Sequence, residues 1–384
     1  MLGTSPVPLV VAGTGLIAAT YGLVRLAYGL VLPDVQRELG LDVAAAGLVS
    51  AGASVVYCLG ALLGFLLAAR RARALVVASA LSAAVGACGM AAAPDAGSFA
   101  VFAVLSSGGA GLASPALVAV LQRNPSTRQR PGVQAVVNAG TGPGLVAAGL
   151  LALALLPNWR LTWVVAAVVT VVAAGLVLVA DQDDHEGLPV RHPLPPPPWF
   201  AAHWRVLAAA LLMGCGSAAV WNYGRSMLVQ AGVGESVSVT AWIALGAGGA
   251  AVVPTARWLE RRRAPEAWVL TTGTVAVTSA ALAAAPGNAP LALAACAAFG
   301  WGYTAASGAL IAWTASIDRA RAPAGTALLF ITLVLGQALG AGVVGALIPV
   351  AGYAPAFLVA ALVSAAAAVP GLRSRVPAHD ASTR

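Results

Sequence analysis

The chain alternates between long apolar runs and short connections rich in glycine, proline or charge. A run of about 20 apolar residues is long enough to cross a bilayer as a helix. Twelve such runs predict twelve membrane-spanning helices. They are Pro8–Leu32, Val43–Ala69, Ala74–Ala92, Ser98–Leu121, Val133–Leu156, Leu161–Ala180, Trp204–Val229, Val239–Trp258, Ala267–Ala285, Leu291–Ala315, Gly325–Val350 and Ala354–Pro370.

The composition agrees with this pattern and excludes a soluble protein. Hydrophobic residues make up 60% of the 384 positions and charged residues only 9%, with a mean hydropathy of +0.87. Soluble domains are about one quarter charged. We therefore expect a multi-span protein whose surroundings are the lipid bilayer, with no room for a second soluble domain. The net charge of +8 does not lead us to expect a nucleic-acid partner, because it has another explanation.

That explanation is the distribution of arginine between the loops. All 21 basic residues are Arg. If both termini are cytoplasmic, seventeen arginines lie on the cytoplasmic side and only Arg37 and Arg160 lie outside, with Arg25 and Arg225 inside helices. Cytoplasmic loops of membrane proteins carry such an excess. The pattern predicts a multi-pass protein of the cytoplasmic membrane with both termini in the cytoplasm, and no cleaved signal peptide because no basic residue precedes Arg25.

The two halves of the sequence repeat one another. A shift of 193 residues aligns Ser114 with Ser307, and a shift of 200 aligns Arg25 with Arg225. We expect a six-helix bundle over residues 1–180, a linker over 181–203 and a second six-helix bundle over 204–384. The linker opens with four acidic residues and ends in a proline tract, which predicts a solvated polyproline II spacer.

Three segments resemble the major facilitator superfamily. The stretch at 158–163 (NWRLTW) looks like its entry to span six, and GQALG at 336–340 looks like its span eleven. The first helix at 21–33 (YGLVRLAYGLVLP) is similar to a bacterial subgroup of uncharacterised or cyanate-porter-like members. The resemblance implies two six-helix bundles around a central path lined by spans one and seven, and a monomer. One departure is Ala68, which stands where the family's loop motif between spans two and three has an Asp.

Ionisable residues inside spans are costly and so are the first functional candidates. The thirteen acidic residues all fall in loops or at helix ends, Asp34, Glu38 and Glu235 among them, which leaves no mid-membrane carboxylate to carry a proton. Arg25 and Arg225 remain, one in each half. Two guanidiniums in a shared cavity would favour an anionic solute. The alternative is that each reaches water or pairs with Asp34, Glu38 or Glu235.

Other candidate substrate contacts are aromatic or amide side chains of the inner spans. Tyr21, Arg25 and Tyr28 share one face of the first helix, and Trp221 and Arg225 repeat the first interval. Each of the remaining candidates could bind a solute or simply hydrogen-bond a neighbouring helix. They are Asn138, Asn222, Tyr303 and Gln337.

The sequence therefore predicts an all-α integral membrane protein that acts as a secondary transporter by alternating access, with a small anion favoured as substrate. Export of hydrophobic drug-like compounds is the alternative. A membrane-embedded enzyme or scaffold is less favoured, since no His, Asp or Glu constellation is present. We expect no catalytic residues, no metal and no cofactor. The four cysteines lack metal-ligand spacing, and no Walker A motif is present.

Overall fold

A computed structural model describes residues 6–127, 132–155, 157–182, 196–319 and 321–372, and the elements in these ranges are helices and their short connections. The first helix, α1, runs over Val7–Leu39 and contains a π-helical segment at Ala18–Leu26. The others are α2 (Val43–Ala92), α3 (Ala96–Arg123), α4 (Val133–Asn138), α5 (Thr141–Leu155), α6 (Trp159–Ala180), α7 (Pro197–Gln230), α8 (Glu235–Ala250), α9 (Val252–Glu260), α10 (Ala264–Ala284), α11 (Ala289–Ile317), α12 (Ala322–Ala351), α13 (Tyr353–Ala366) and α14 (Val369–Leu372).

The described residues account for the twelve predicted spans. Ten helical stretches are long and apolar enough to cross a bilayer, and α8 with α9 forms an eleventh span bent by 40°. The 50-residue α2 supplies two spans, because its backbone leaves helical geometry at Arg71. Tyr57 and Ser79, on either side of that break, both pack against the turn of α3 that holds Gly109 and Gly111. A straight helix would separate them by about 33 Å, so the chain reverses at Arg71.

The helices form two groups that meet along three pairs. Helices α1 to α6 pack mainly with one another, as do α7 to α13, and the groups touch through α2 with α12, α5 with α8, and α1 with α7. Small residues allow these helices to approach closely: a side chain at Gly47 would meet the backbone of α12 at Gly345. One buried hydrophobic cluster runs through both groups, and a second belongs to the first group alone.

Two helices extend beyond their predicted limits. Helix α1 continues through Pro33 to Leu39, which places Asp34 inside the helix. Helix α7 begins at Pro197, within the tract predicted as a polyproline spacer. Proline is tolerated in the first turn of a helix because the amide that it lacks has no helical partner there. The rest of the tract, to residue 195, lies outside the described residues.

The start of the linker is buried, contrary to the expectation of a fully solvated segment. Asp181 is 6% exposed and pairs with Arg123, and its carboxylate lies 3.5 Å from Nη1 of Arg73. These charges close one end of the first group of helices, which we call the Arg73 end. The opposite end, where α1 stops and α8 begins, is called the Asp34 end. The other three acidic residues of the linker lie outside the described residues.

Candidate functional site

A cavity lies between the two groups of helices, near the middle of α1. Its empty volume is about 550 Å³ counting the open space at its mouth, and about 40 Å³ is open to the centre of a water molecule. That is room for about three waters. Both groups contribute polar side chains to its wall. They are Arg25, Tyr28, Ser50, Ser54, Ser106 and Ser107 from the first group, and Trp221, Asn222 and Gln337 from the second.

The π-helical segment of α1 places Arg25 in this cavity. Within this segment the helix lies so close to α5 that a side chain at Gly22 would collide with the backbone at Gly144. Single π-helical turns inside α-helices are frequent at functional sites. Tyr21 precedes Arg25 by one turn and shares a hydrogen bond of 2.9 Å with Tyr57 of α2. As expected from their spacing, Tyr21, Arg25 and Tyr28 all face α2, since Tyr28 donates to the carbonyl of Ala46 at 2.9 Å.

Arg25 forms no salt bridge with any carboxylate of the described residues. Its Nη2 donates to Oε1 of Gln337 at 3.2 Å. Its Cζ lies 4.7 Å from the ring centroid of Tyr57, a favourable cation–π distance. Its Nε is buried and has no hydrogen-bond partner. The ring and the neutral amide bring no negative charge to the guanidinium, and it has donors to spare.

Two further groups in the cavity wall are buried without a hydrogen-bond partner: the indole Nε1 of Trp221 and Oγ of Ser107. Buried polar atoms are nearly always paired in proteins, so each such atom calls for an explanation. The indole nitrogen is only a donor, and a hydroxyl can donate. Together with Nε of Arg25, three polar atoms of residues that line the cavity thus lack a hydrogen-bond partner among the described residues.

The remaining candidates from the second group frame the cavity. Gln337 is 6% exposed, and its Nε2 donates to the hydroxyl of Tyr303 at 2.9 Å. The ring of Tyr303 also packs against Trp221, with the two ring centroids 5.1 Å apart. Asn222 accepts from Ser50 across the two groups at 2.6 Å and donates to its own helix.

Arg225 does not share this cavity, contrary to the expectation of two guanidiniums around one solute. It is 2% exposed, pairs with Asp34 and lies 3.5 Å from Glu235. It also donates to the carbonyl of Leu30, and its Nε donates to Ser238 at 3.2 Å. Arg225 lines a separate, smaller pocket of the second group. Its charge is thus compensated by carboxylates, as the alternative interpretation of the sequence allowed.

Asp34 lies in the last part of α1 and not in a loop, because the helix continues beyond its predicted end at Leu32. It is 4% exposed within α1, one turn before the helix stops. The charged network, defined as Asp34, Arg37, Arg225 and Glu235, joins the two groups at the Asp34 end, where Arg37 lies 3.5 Å from Asp34 and 3.8 Å from Glu235. Nearby, the hydroxyl of Tyr223 donates to the carbonyl of Val43 at 3.0 Å. The Asp34 end is therefore closed by contacts between the groups.

Asn138 lies apart from the cavity. It is exposed at the end of α4, and its side-chain oxygen accepts from Gln134 at 3.3 Å. Conversely, Tyr57 and the serines of α2 and α3 were not among the candidates that the sequence indicated. A tyrosine in the middle of an apolar span was a usable signal, because an aromatic residue with a hydroxyl is expected at the interfaces of the membrane and not at its centre.

The comparisons with known proteins agree with this architecture. The model of the Major Facilitator Superfamily matches residues 14–322. No curated protein matches the chain in sequence.

Solved transporter structures share the fold. A point-mutant form of the nucleoside transporter NupG has a TM-score of 0.77 at 13% identity, over 95% of this chain and 99% of that one. A D-xylose–proton symporter has a TM-score of 0.77 at 12% identity, over 96% and 98%. A bacterial homologue of the human lysosomal transporter Spinster, inward-facing and unoccupied, has a TM-score of 0.66 at 15% identity, over 96% of both chains. Two groups of helices around a polar cavity, with a family model that covers most of the chain, establish that this protein belongs to the major facilitator superfamily of secondary transporters.

Proposed function

We propose that this transporter carries a small monoanion, and that Arg25 receives its charge in the central cavity. The observation that carries the proposal is the uncompensated guanidinium of Arg25 between the two groups of helices. An unpaired charge is costly inside a membrane protein, and such residues mark substrate or ion pathways. The unpartnered donors of Trp221 and Ser107 in the same wall suit a ligand whose oxygen atoms accept hydrogen bonds.

The charge count favours a monoanion over a dianion. Arg25 is the one charged side chain among the described residues that line the cavity. Arg225, its counterpart in the second half, has Asp34 and Glu235 beside it and offers no second positive charge. A dianion would enter this low-dielectric site with one charge unmatched, at a cost of several kcal/mol. The free space, room for about three waters, also suits a compact solute in this conformation.

Two other substrate classes are the alternatives to a small monoanion. Apolar lining residues such as Val24, Val49 and Met90 keep export of hydrophobic compounds as the second candidate. The similar folds include a nucleoside transporter and a D-xylose–proton symporter, whose names indicate uncharged solutes. At 12–13% identity these neighbours do not transfer their substrates. Neutral nucleosides and sugars are nevertheless the appropriate comparison compounds.

Orientation and assembly belong to the same proposal. The arginine distribution supports a cytoplasmic Arg73 end, both termini in the cytoplasm of a cell membrane, and an outer Asp34 end. Contacts within the Asp34 end then close the cavity toward the outside. We take the transporter to be a monomer. Reporter fusions to the two termini, and light scattering of the detergent-purified protein, test these points directly.

Ligand-induced thermal stabilisation tests the substrate class. The purified protein is heated with nitrate, formate, acetate, benzoate, phosphate, uridine, xylose and a neutral hydrophobic dye, each at graded concentrations. A ligand at 100 times its Kd stabilises the folded state by about 2.7 kcal/mol. We expect one or more monoanions to raise the melting temperature, more than phosphate does, and the neutral compounds to have no effect.

Matched variants assign any response to the cavity. Arg25→Gln removes the cavity charge, whereas Arg257→Gln removes an exposed arginine of α9. The anion response should disappear in Arg25→Gln and persist in Arg257→Gln. Stabilisation by the hydrophobic dye or by a neutral solute that is unchanged in Arg25→Gln would overturn the proposal and favour the corresponding alternative. Flux of the responding anion into proteoliposomes then measures transport itself.

A further inference from the structure

Gln337 occupies one of the guanidinium donors of Arg25 that an anion could use. Its Oε1 accepts from Nη2 of Arg25 at 3.2 Å, while its Nε2 donates to the hydroxyl of Tyr303 at 2.9 Å. The side chain is 6% exposed, lies on α12, and bonds to Arg25 on α1 across the gap between the two groups of helices. Both ends of the amide are therefore engaged, and the oxygen is the atom turned toward the positive charge.

The amide oxygen competes with any anion that binds Arg25 through Nη2, the guanidinium nitrogen that already donates to Gln337. Arg25 has no described carboxylate to satisfy it, so a neutral acceptor is what holds its guanidinium in the structure. An anion that binds Nη2 of Arg25 would place its own oxygen atoms in contact with Oε1 of Gln337. Two acceptor oxygens with no hydrogen between them repel one another. The amide nitrogen cannot turn to the anion without giving up Tyr303.

We propose that Gln337 is a resident competitor: it satisfies Arg25 while the site is empty, and the anionic substrate displaces it. This inference rests on the proposed anion site and assigns to Gln337 a role that sets the affinity of that site. Displacement also breaks a bond between the two groups of helices, because Arg25 belongs to the first and Gln337 to the second. Occupancy of the cavity is thereby coupled to the contact between the groups.

The chemistry separates this role from that of an ordinary substrate ligand. If Gln337 binds the anion directly, removing its amide weakens binding. If it competes, removing the amide strengthens binding, since the anion no longer has to replace a hydrogen bond to a charged group. Hydrogen bonds to charged groups are among the stronger ones, and loss of such a competitor corresponds to roughly a tenfold gain in affinity. The two roles thus predict opposite signs for the same variant.

The experiment titrates nitrate and acetate as probe anions into the full-length transporter in detergent, with Kd obtained from thermal shift and from Trp fluorescence. In Gln337→Ala the Kd of the responding probe should fall roughly tenfold. Gln337→Glu places a carboxylate beside Arg25 and should abolish probe binding while the protein remains folded. Gln36→Ala is the matched control, because Gln36 accepts a hydrogen bond from Ser226 across the same two groups but does not line the cavity; its Kd should equal that of the wild type.

The outcomes distinguish failure of the inference from failure of the proposed function. An unchanged or increased Kd in Gln337→Ala, with anion binding that still depends on Arg25, overturns the competitor role and leaves the anion site standing. Equal tightening in Gln36→Ala overturns it as well, since any lost contact between the groups would then suffice. Binding in Gln337→Ala but not in the wild type supports the inference. No binding of either probe in any variant overturns the anion site for these probes and the inference with it.

Discussion

Arg25 and Arg225 occupy equivalent positions in the two halves of the sequence, yet their surroundings differ. Arg225 is 2% exposed and has Asp34 and Glu235 as ionic partners. Arg25 borders a cavity, and its partners among the described residues are the ring of Tyr57 and the amide of Gln337. Internal repetition thus preserved the position of the charge but not its partners. One arginine joins the two groups of helices, and the other lies at the cavity between them without a carboxylate partner among the described residues.

The largest expected effect comes from removing the charge of Arg225. In Arg225→Met, the buried Asp34 loses its buried partner and keeps the exposed Arg37 at 3.5 Å, and breaking a buried ion pair in this way costs roughly 3–5 kcal/mol. We expect a large loss of thermal stability and of yield. The measurement is the melting temperature of the purified variant in detergent.

The double variant Arg225→Met with Asp34→Leu provides the control. Replacing both members of a buried ion pair with apolar residues is often close to neutral, so much of the stability should return. A double variant no more stable than Arg225→Met alone would show that the ion pair is not what Arg225 contributes.

The same substitution at Arg25 should have a far smaller effect on stability. Arg25→Met removes a cation–π contact and one hydrogen bond, but it also removes an unpaired charge, so we expect a net change of no more than about 1 kcal/mol. Anion-dependent stabilisation should be lost altogether. Melting curves with and without acetate measure both quantities. A loss of stability as large as that of Arg225→Met would make Arg25 a structural residue and remove the distinction between the two arginines.

The sequence predicted the twelve spans because each depends on a local apolar run and the charges that bound it. It offered Asp34, Glu38 and Glu235 as alternative partners of the two arginines but could not decide whether Arg225 pairs with a carboxylate or faces a solute. Asp34 follows Pro33, and a proline followed by polar residues favours a helix end, whereas α1 continues to Leu39. The pairing joins positions 191 residues apart. Only the packing of α1 on α7 brings them together, and no local pattern encodes that packing.

The candidate site was predictable in part for the same reason. The rarity of charge inside apolar spans identified Arg25, and helical spacing placed Tyr21 and Tyr28 beside it. Asn138 was wrongly grouped with them, because a polar residue near a span does not reveal which side of the helix the neighbours cover. Tyr57 and Ser107 were missed, since Tyr57 matters through its contact with Arg25 and Ser107 through its place in the wall of a cavity between the two groups of helices.

Tyr57 provides a prediction of intermediate size. Tyr57→Leu removes the ring that lies 4.7 Å from the Arg25 guanidinium, whereas Tyr57→Phe keeps the ring and loses only the hydroxyl bonded to Tyr21. A cation–π contact contributes about 0.5–2 kcal/mol. We expect Tyr57→Leu to raise the Kd of the bound anion by about 3- to 10-fold, through loss of the orientation of Arg25. Tyr57→Phe should bind within about twofold of the wild type; equal losses in both variants would assign the effect to the hydroxyl.

The smallest expected effect comes from Ser50, whose hydroxyl donates to Asn222 across the two groups of helices at 2.6 Å. Like the ion pair of Arg225, this bond joins the groups, but it is neutral and lies at the cavity wall, where water can replace the lost donor. Ser50→Ala should therefore cost only about 0.5–1.5 kcal/mol of stability, visible as a small drop in melting temperature, and should leave the acetate Kd unchanged. Ser82→Ala is the matched control, because the Ser82 hydroxyl bonds within the first group, to the carbonyl of Leu105 at 2.7 Å. If Ser50→Ala changed anion affinity as much as Arg25→Gln, the solute would contact the Ser50–Asn222 pair. Binding of the solute and contact between the two groups of helices would then share residues, and Arg25 and the charged network could no longer be assigned separate roles.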